Sequence, residues 1–134
     1  MSNLSALLTA QAYERLVAFT ERSSFTALAT RLPAGNMLSA ELAEVFKEAI
    51  RGEFEHNLSQ QIYVSETAWQ VVTDLKDQQI FIIHELANAI SGDAPGHLLV
   101  DSIKTFLEAD ALASIQPMVL DVLKKEARQY LAKI

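Results

Sequence analysis

Apolar residues along this chain recur at intervals of three and four rather than two, and only four glycines and three prolines break the pattern. That spacing predicts an all-α fold, an irregular bundle of five or six helices occupying residues 1–134 as a single helical domain. A first helix is expected from about Asn3 to Arg22, and a short second one over Ser24 to Arg31 behind the Ser23-Ser24 cap signal. Leu32-Pro33-Ala34-Gly35-Asn36 has the chemistry of a turn. Ser39 then reads as the cap of a third helix reaching about Gln60, with Glu41 and Glu44 near its positive end and Gly52 interrupting it as a mark of close helix contact. Gln61 to Val64 has strand propensity but no second strand to pair with, so it is a connector.

Ser65 is the next N-cap, with Glu66 in the first turn and Val64 and Trp69 at the positions of a hydrophobic staple. The fourth helix runs to about Ile90, where Ser91-Gly92 ends it. Its apolar residues fall on two sides: Trp69, Val72, Ile83, Leu86 and Ile90 on one, Val71, Ile82 and Ala89 on the other. A helix apolar on two sides is central or sits at a subunit interface, so the second side is the surface a homodimer would use. Pro95 opens a fifth helix with a Leu99, Ile103, Phe106 stripe up to about Ala109. Ser114 opens the last, where Val119, Leu123, Tyr130 and Ile134 share a face.

Composition narrows the chemistry. Half of the 134 residues are hydrophobic, enough for one core without covalent staples. The absence of cysteine removes disulfides, thiolate metal sites and cysteine nucleophiles, and suits a reducing compartment such as the cytoplasm. The net charge of −6 is spread over both halves, and the Lys124-Lys125 pair is diluted by Asp121 and Glu126, which argues against nucleic acid as a partner. Apolar runs such as Ile80-Phe81-Ile82-Ile83 fall far short of the about 20 residues that span a bilayer. Met1 to Ala10 lacks the basic start and apolar run of a signal peptide.

Three blocks, Gln11-Ala-Tyr-Glu-Arg-Leu16, Glu53-Phe-Glu-His-Asn-Leu-Ser-Gln-Gln-Ile-Tyr-Val-Ser65 and Ala68-Trp69, resemble a family of uncharacterised bacterial proteins, a resemblance that reaches to about Lys76. Its members often carry an N-terminal membrane segment and a charged linker, and this sequence shows neither. The resemblance therefore implies either a soluble relative or an excised soluble domain, which a preceding segment would hold at the inner membrane face. It brings no activity, cofactor or catalytic residue with it.

Several catalytic patterns are incomplete. Glu53-x-x-His56 has the ligand spacing of di-iron bundles but lacks a second such motif. His84-Glu85-Leu-Ala-Asn88 places asparagine where a zinc protease needs its second histidine. No nucleophile elbow or phosphate-cradling loop is present. No metal and no cofactor is therefore assigned.

One constellation stands out when the third helix is projected at about 100° per residue. The face of Leu42, Phe46, Ala49 and Ile50 continues through Glu53, Asn57 and Gln60, with His56 at its margin. Likewise Arg15 and Arg22 fall on the first-helix face of Leu4, Leu8, Ala12 and Phe19. Three explanations stay open: helix ends and arginine heads that reach water, a buried network pairing Glu53 with Arg15 or Arg22, or a polar pocket. The absence of a complete catalytic set favours a soluble interaction or scaffold module with a protein partner. The alternative is a small-molecule binding protein or enzyme built on Glu53, His56 and Asn57.

Overall fold

The computed structural model describes residues 3–110 and 113–134. Among them are six α-helices, α1 (Asn3–Arg22), α2 (Phe25–Arg31), α3 (Ser39–His56), α4 (Glu66–Asn88), α5 (Gly96–Ala109) and α6 (Gln116–Leu131), with a short 3₁₀ segment, Leu58–Ile62, after α3. The all-α bundle follows from the helical spacing of the sequence.

The caps show how local chemistry sets most boundaries. Ser24 and Ser65 accept from Ala27 N–H at 3.1 Å and Ala68 N–H at 3.0 Å, each supplying one of the acceptors a helix start lacks. Ser39 is not a cap. It lies inside the first turn of α3, where its Oγ donates to the Pro95 carbonyl at 3.0 Å and its N–H to the Ala94 carbonyl at 2.7 Å. Leu38 holds the cap position, its own N–H bonded to Glu41 Oε1 at 3.1 Å. The approach of the chain before α5 claims the polar groups of Ser39, and that approach is a tertiary event.

Gly96 makes the approach possible. Its N–H donates to the Met37 carbonyl at 2.8 Å, and a Cβ there would come within 2.8 Å of that same oxygen. Gly35 turns the preceding loop at a φ of 51°, a conformation that suits glycine. Gly52, by contrast, neither interrupts α3 nor marks a close contact, since a Cβ at that position would meet nothing within 4 Å.

α3 ends at His56, short of Gln60. Asn57 turns its amide back, Nδ2 donating to the Glu53 carbonyl at 2.8 Å, and the chain tightens into bonds from Gln60 N–H to Asn57 and from Tyr63 N–H to Gln60, both 3.0 Å. A short polar side chain that competes for the backbone in this way favours helix ends over interiors.

α4 lies at the centre, packed by α3, α5, α6 and α1. Val72, Leu75, Ile82 and Ile83 are all buried along it. Ile82, one of the three residues on the second apolar side expected to serve a homodimer, is instead part of this chain's own core, because α4 is covered from several directions. Of its companions, Val71 is half-buried and Ala89 exposed.

α1 and α6 run antiparallel: the Tyr13 and Tyr130 rings stack at 5.6 Å, while nearer the other end Gln116 Nε2 donates to the Thr20 carbonyl at 3.1 Å. The buried stripe of α1 is Ala6, Thr9, Ala10, Ala12, Tyr13, Leu16, Phe19 and Thr20. Leu4 and Leu8, counted on the inward face by the sequence pattern, are exposed. Small residues on the inner stripe allow close helix approach, so the bulkier leucines fall to the flank. Ile134 is likewise exposed, lying beyond the end of α6. Glutamines clasp the end of α1 and the start of α6 onto α4: Gln79 Nε2 donates to the Ser23 carbonyl, and Gln78 Oε1 accepts from Ile115 N–H at 2.9 Å.

Candidate functional site

The end of α3 carries the residues singled out by sequence. Glu53 Oε1 accepts from Arg22 Nε at 2.7 Å and pairs with Arg22 Nη2 at 2.6 Å, and Arg31 Nη2 lies 3.6 Å from the same oxygen. Arg31 also donates to the Arg22 carbonyl at 2.6 Å, so it ties the end of α2 to the end of α1 while facing the carboxylate. Arg22 is the partner, Arg31 is a second cation the sequence pattern did not single out, and Arg15 is exposed with no ion pair among the described residues.

This cluster is not a buried network. The Arg22 side chain is 52% exposed and that of Glu53 24% exposed, so water competes for both charges. The hydrogen bond to Glu53 raises the Arg22 pKa further, which leaves a group that is already cationic unchanged in charge. Asn57 joins the cluster through its bond to the Glu53 backbone, Gln60 is half-buried nearby in sequence, and His56 is exposed.

Beside Glu53, Phe54 starts an aromatic run: its ring meets Phe19 at 6.0 Å edge-on and stacks on Trp69 at 5.2 Å, with Lys76 Nζ 4.6 Å from its centroid. Trp69, half-buried, therefore belongs to the packing that joins α3 to the first turns of α4. From here a groove follows the α3–α4 seam. One cleft of about 410 Å³ is bordered by Phe54, Leu58 and Lys76, a second of about 320 Å³ by Lys47, Phe81 and His84, and the two share Arg51, Asp77 and Ile80. Lys47 is almost buried there, paired with Glu44 at 2.7 Å, which draws the Glu44 pKa down. Phe81 stands 62% exposed at one end, and beyond Leu58 at the other Ile62 is 74% exposed. None of these clefts is lined by Glu53, His56 or Asn57.

A second polar cluster was not legible in the sequence. The Tyr13 hydroxyl donates to Glu126 Oε1 at 2.8 Å and accepts from Ser65 N–H at 3.1 Å, while Ser65 Oγ donates to the same Glu126 oxygen at 2.6 Å. Tyr13 is fully buried. Burial pushes its phenol above the ordinary tyrosine range; the Ser65 N–H pulls it back, and the Glu126 bond adds to the rise. The three residues join α1, the cap of α4 and α6. Ser65 announced itself as a cap, but nothing local tells that a tyrosine 52 residues earlier shares it.

No group of three or more His, Asp or Glu side chains among the described residues is placed to hold a metal, and no described helix is long and apolar enough to cross a membrane. The model of a family of unknown function, DUF7935, matches residues 3–130. That is consistent with the resemblance to an uncharacterised family, and it extends well past Lys76. No curated protein and no solved structure matches the chain.

Proposed function

The chain belongs to the DUF7935 family, a family of unknown function, and we propose that it is a cytoplasmic binding module without catalytic activity, a single helical domain that holds a protein partner along the α3–α4 groove and the 3₁₀ segment beyond it. The observation that carries this reading is the placement of exposed apolar residues: Phe81 at one end of the groove, Leu58 at the other, with Ile62 and Tyr63 following. Exposed large apolar side chains at both ends of a cleft whose middle carries Arg51 and Asp77 offer a partner apolar anchors and a charged pair between them to match.

The alternative, a small-molecule site on Glu53, His56 and Asn57, has less support. Glu53 already faces two arginines, and the Asn57 amide closes the end of α3. The acidic net charge of −6 likewise favours protein over nucleic acid as the partner.

A photo-crosslinking residue placed at position 62 or 81 in cells tests the proposal, with position 129 on the exposed part of α6 as the control. Discrete adducts are expected from 62 and 81 and not from 129, and the adduct at 62 should disappear when Phe81→Glu is added. The same adducts at all three positions would overturn it.

A further inference from the structure

α2 contributes only two turns, and between it, α3 and α5 a separate cleft of about 300 Å³ remains open. Its lining is graded. Phe25, Phe46 and Ile103 form a buried floor, Ala29, Val100 and Leu107 half-buried walls, and the exposed residues Thr26, Thr30 and Lys104 complete the lining at the mouth. Floor and walls carry no polar side-chain atom, so a polar body entering the cleft would lose its hydration with nothing to replace it, whereas a hydrocarbon would not. The volume equals that of roughly ten water-sized groups, about the size of a saturated chain of eight to ten carbons.

The mouth adds a charge preference. Lys104 is the one charged residue of the lining, and no ion pair holds it among the described residues, although Asp101 and Glu108 share its helix. Lys47, Lys76 and Lys125 are each paired with a carboxylate at 2.7 to 2.9 Å, and of the lysines without an ion pair among the described residues, Lys104, Lys124 and Lys133, Lys104 alone lines this cleft. We propose that this cleft binds a free medium-chain carboxylate, the hydrocarbon lying over Phe25, Phe46 and Ile103 and the carboxylate pairing with Lys104 at the mouth. A free amphiphile is favoured over the surface of an anionic bilayer because it brings a single charge to Lys104, whereas the bilayer brings many and repels a chain of net charge −6. The site is separate from the α3–α4 groove and does not depend on a protein partner there.

Decanoate titrated into methyl-labelled protein below its aggregation concentration tests the proposal. Saturable shifts are expected at Val100, Ile103 and Leu107. Lys104→Met should weaken decanoate roughly fivefold, the upper range for an exposed ion pair, and leave decanol unchanged. Ala29→Phe should fill the cleft and abolish binding of both; if that variant does not fold, Thr26→Trp at the mouth serves the same purpose. No saturable shift at the three residues, or equal effects of Lys104→Met on decanoate and decanol, would overturn the assignment. So would binding to phosphatidylglycerol vesicles through Lys104 without binding of free decanoate.

Discussion

Two polar clusters tie α1 to the rest of the molecule, and they differ in what surrounds them. In the first, Arg22 and Glu53 meet at 2.6 Å with the arginine side chain half in water. In the second, the hydroxyl of fully buried Tyr13 bridges Ser65 and Glu126 between α1 and α6. Both clusters reach 2.6 Å at their shortest contact, yet solvent screens the Arg22–Glu53 pair and supplies a substitute partner when either member is removed. The hydroxyl of fully buried Tyr13 finds such a substitute less readily, although Ser65 and Glu126 are themselves half-buried. Formal charge is therefore a poor guide to which cluster holds the fold, and burial is the better one.

Substitutions in and around each cluster test that ranking. Tyr13→Ala, which empties a fully buried ring site and deletes the bridge, should cost about 4 kcal/mol in urea unfolding. Trp69→Ala, which removes the stacking partner of Phe54 at a half-buried position, should cost about 2 to 3 kcal/mol by the same measurement. A loss under about 1 kcal/mol there would shift Trp69 from packing to the recognition surface.

Tyr13→Phe isolates the hydroxyl and should cost about 2 kcal/mol. It also carries a pH signature. Because the folded-state pKa of Tyr13 is raised, its contribution is present below the ordinary tyrosine value of about 10 and is lost as pH climbs through the higher folded value. Wild type should therefore lose stability more steeply than Tyr13→Phe as pH rises above about 10. Parallel pH profiles would show that the hydroxyl titrates as if exposed.

Gly52→Ala, one residue before Glu53, should stabilise by up to about 1 kcal/mol, since the added methyl meets nothing and the helix gains propensity. Glu53→Gln should give the smallest change in the melting temperature, and the difference from wild type should vanish at high salt, because the Arg22 side chain is half exposed. A Glu53→Gln loss equal to that of Tyr13→Phe would overturn the ranking of the two clusters.

The helices and several of their ends are legible in the residues alone. The three-and-four spacing, the Ser24 and Ser65 caps and the Gly35 turn act within a few residues, where backbone chemistry alone decides, and all are seen in the structure. Glu53, Arg15 and Arg22 also stand out in the residues as charged positions on otherwise apolar helix faces, and of the two arginines Arg22 meets Glu53. The packing of the helices set what depends on which of them lies against which. It rotated the inner face of α1 away from Leu4 and Leu8, turned Ser39 from a cap into a partner of Pro95, and buried Ile82. It also brought Tyr13, Ser65 and Glu126 together and left the α2–α5 cleft open. Periodicity specifies that a helix has an apolar side, but the width of that side and its boundary with solvent are set by neighbouring helices distant in sequence.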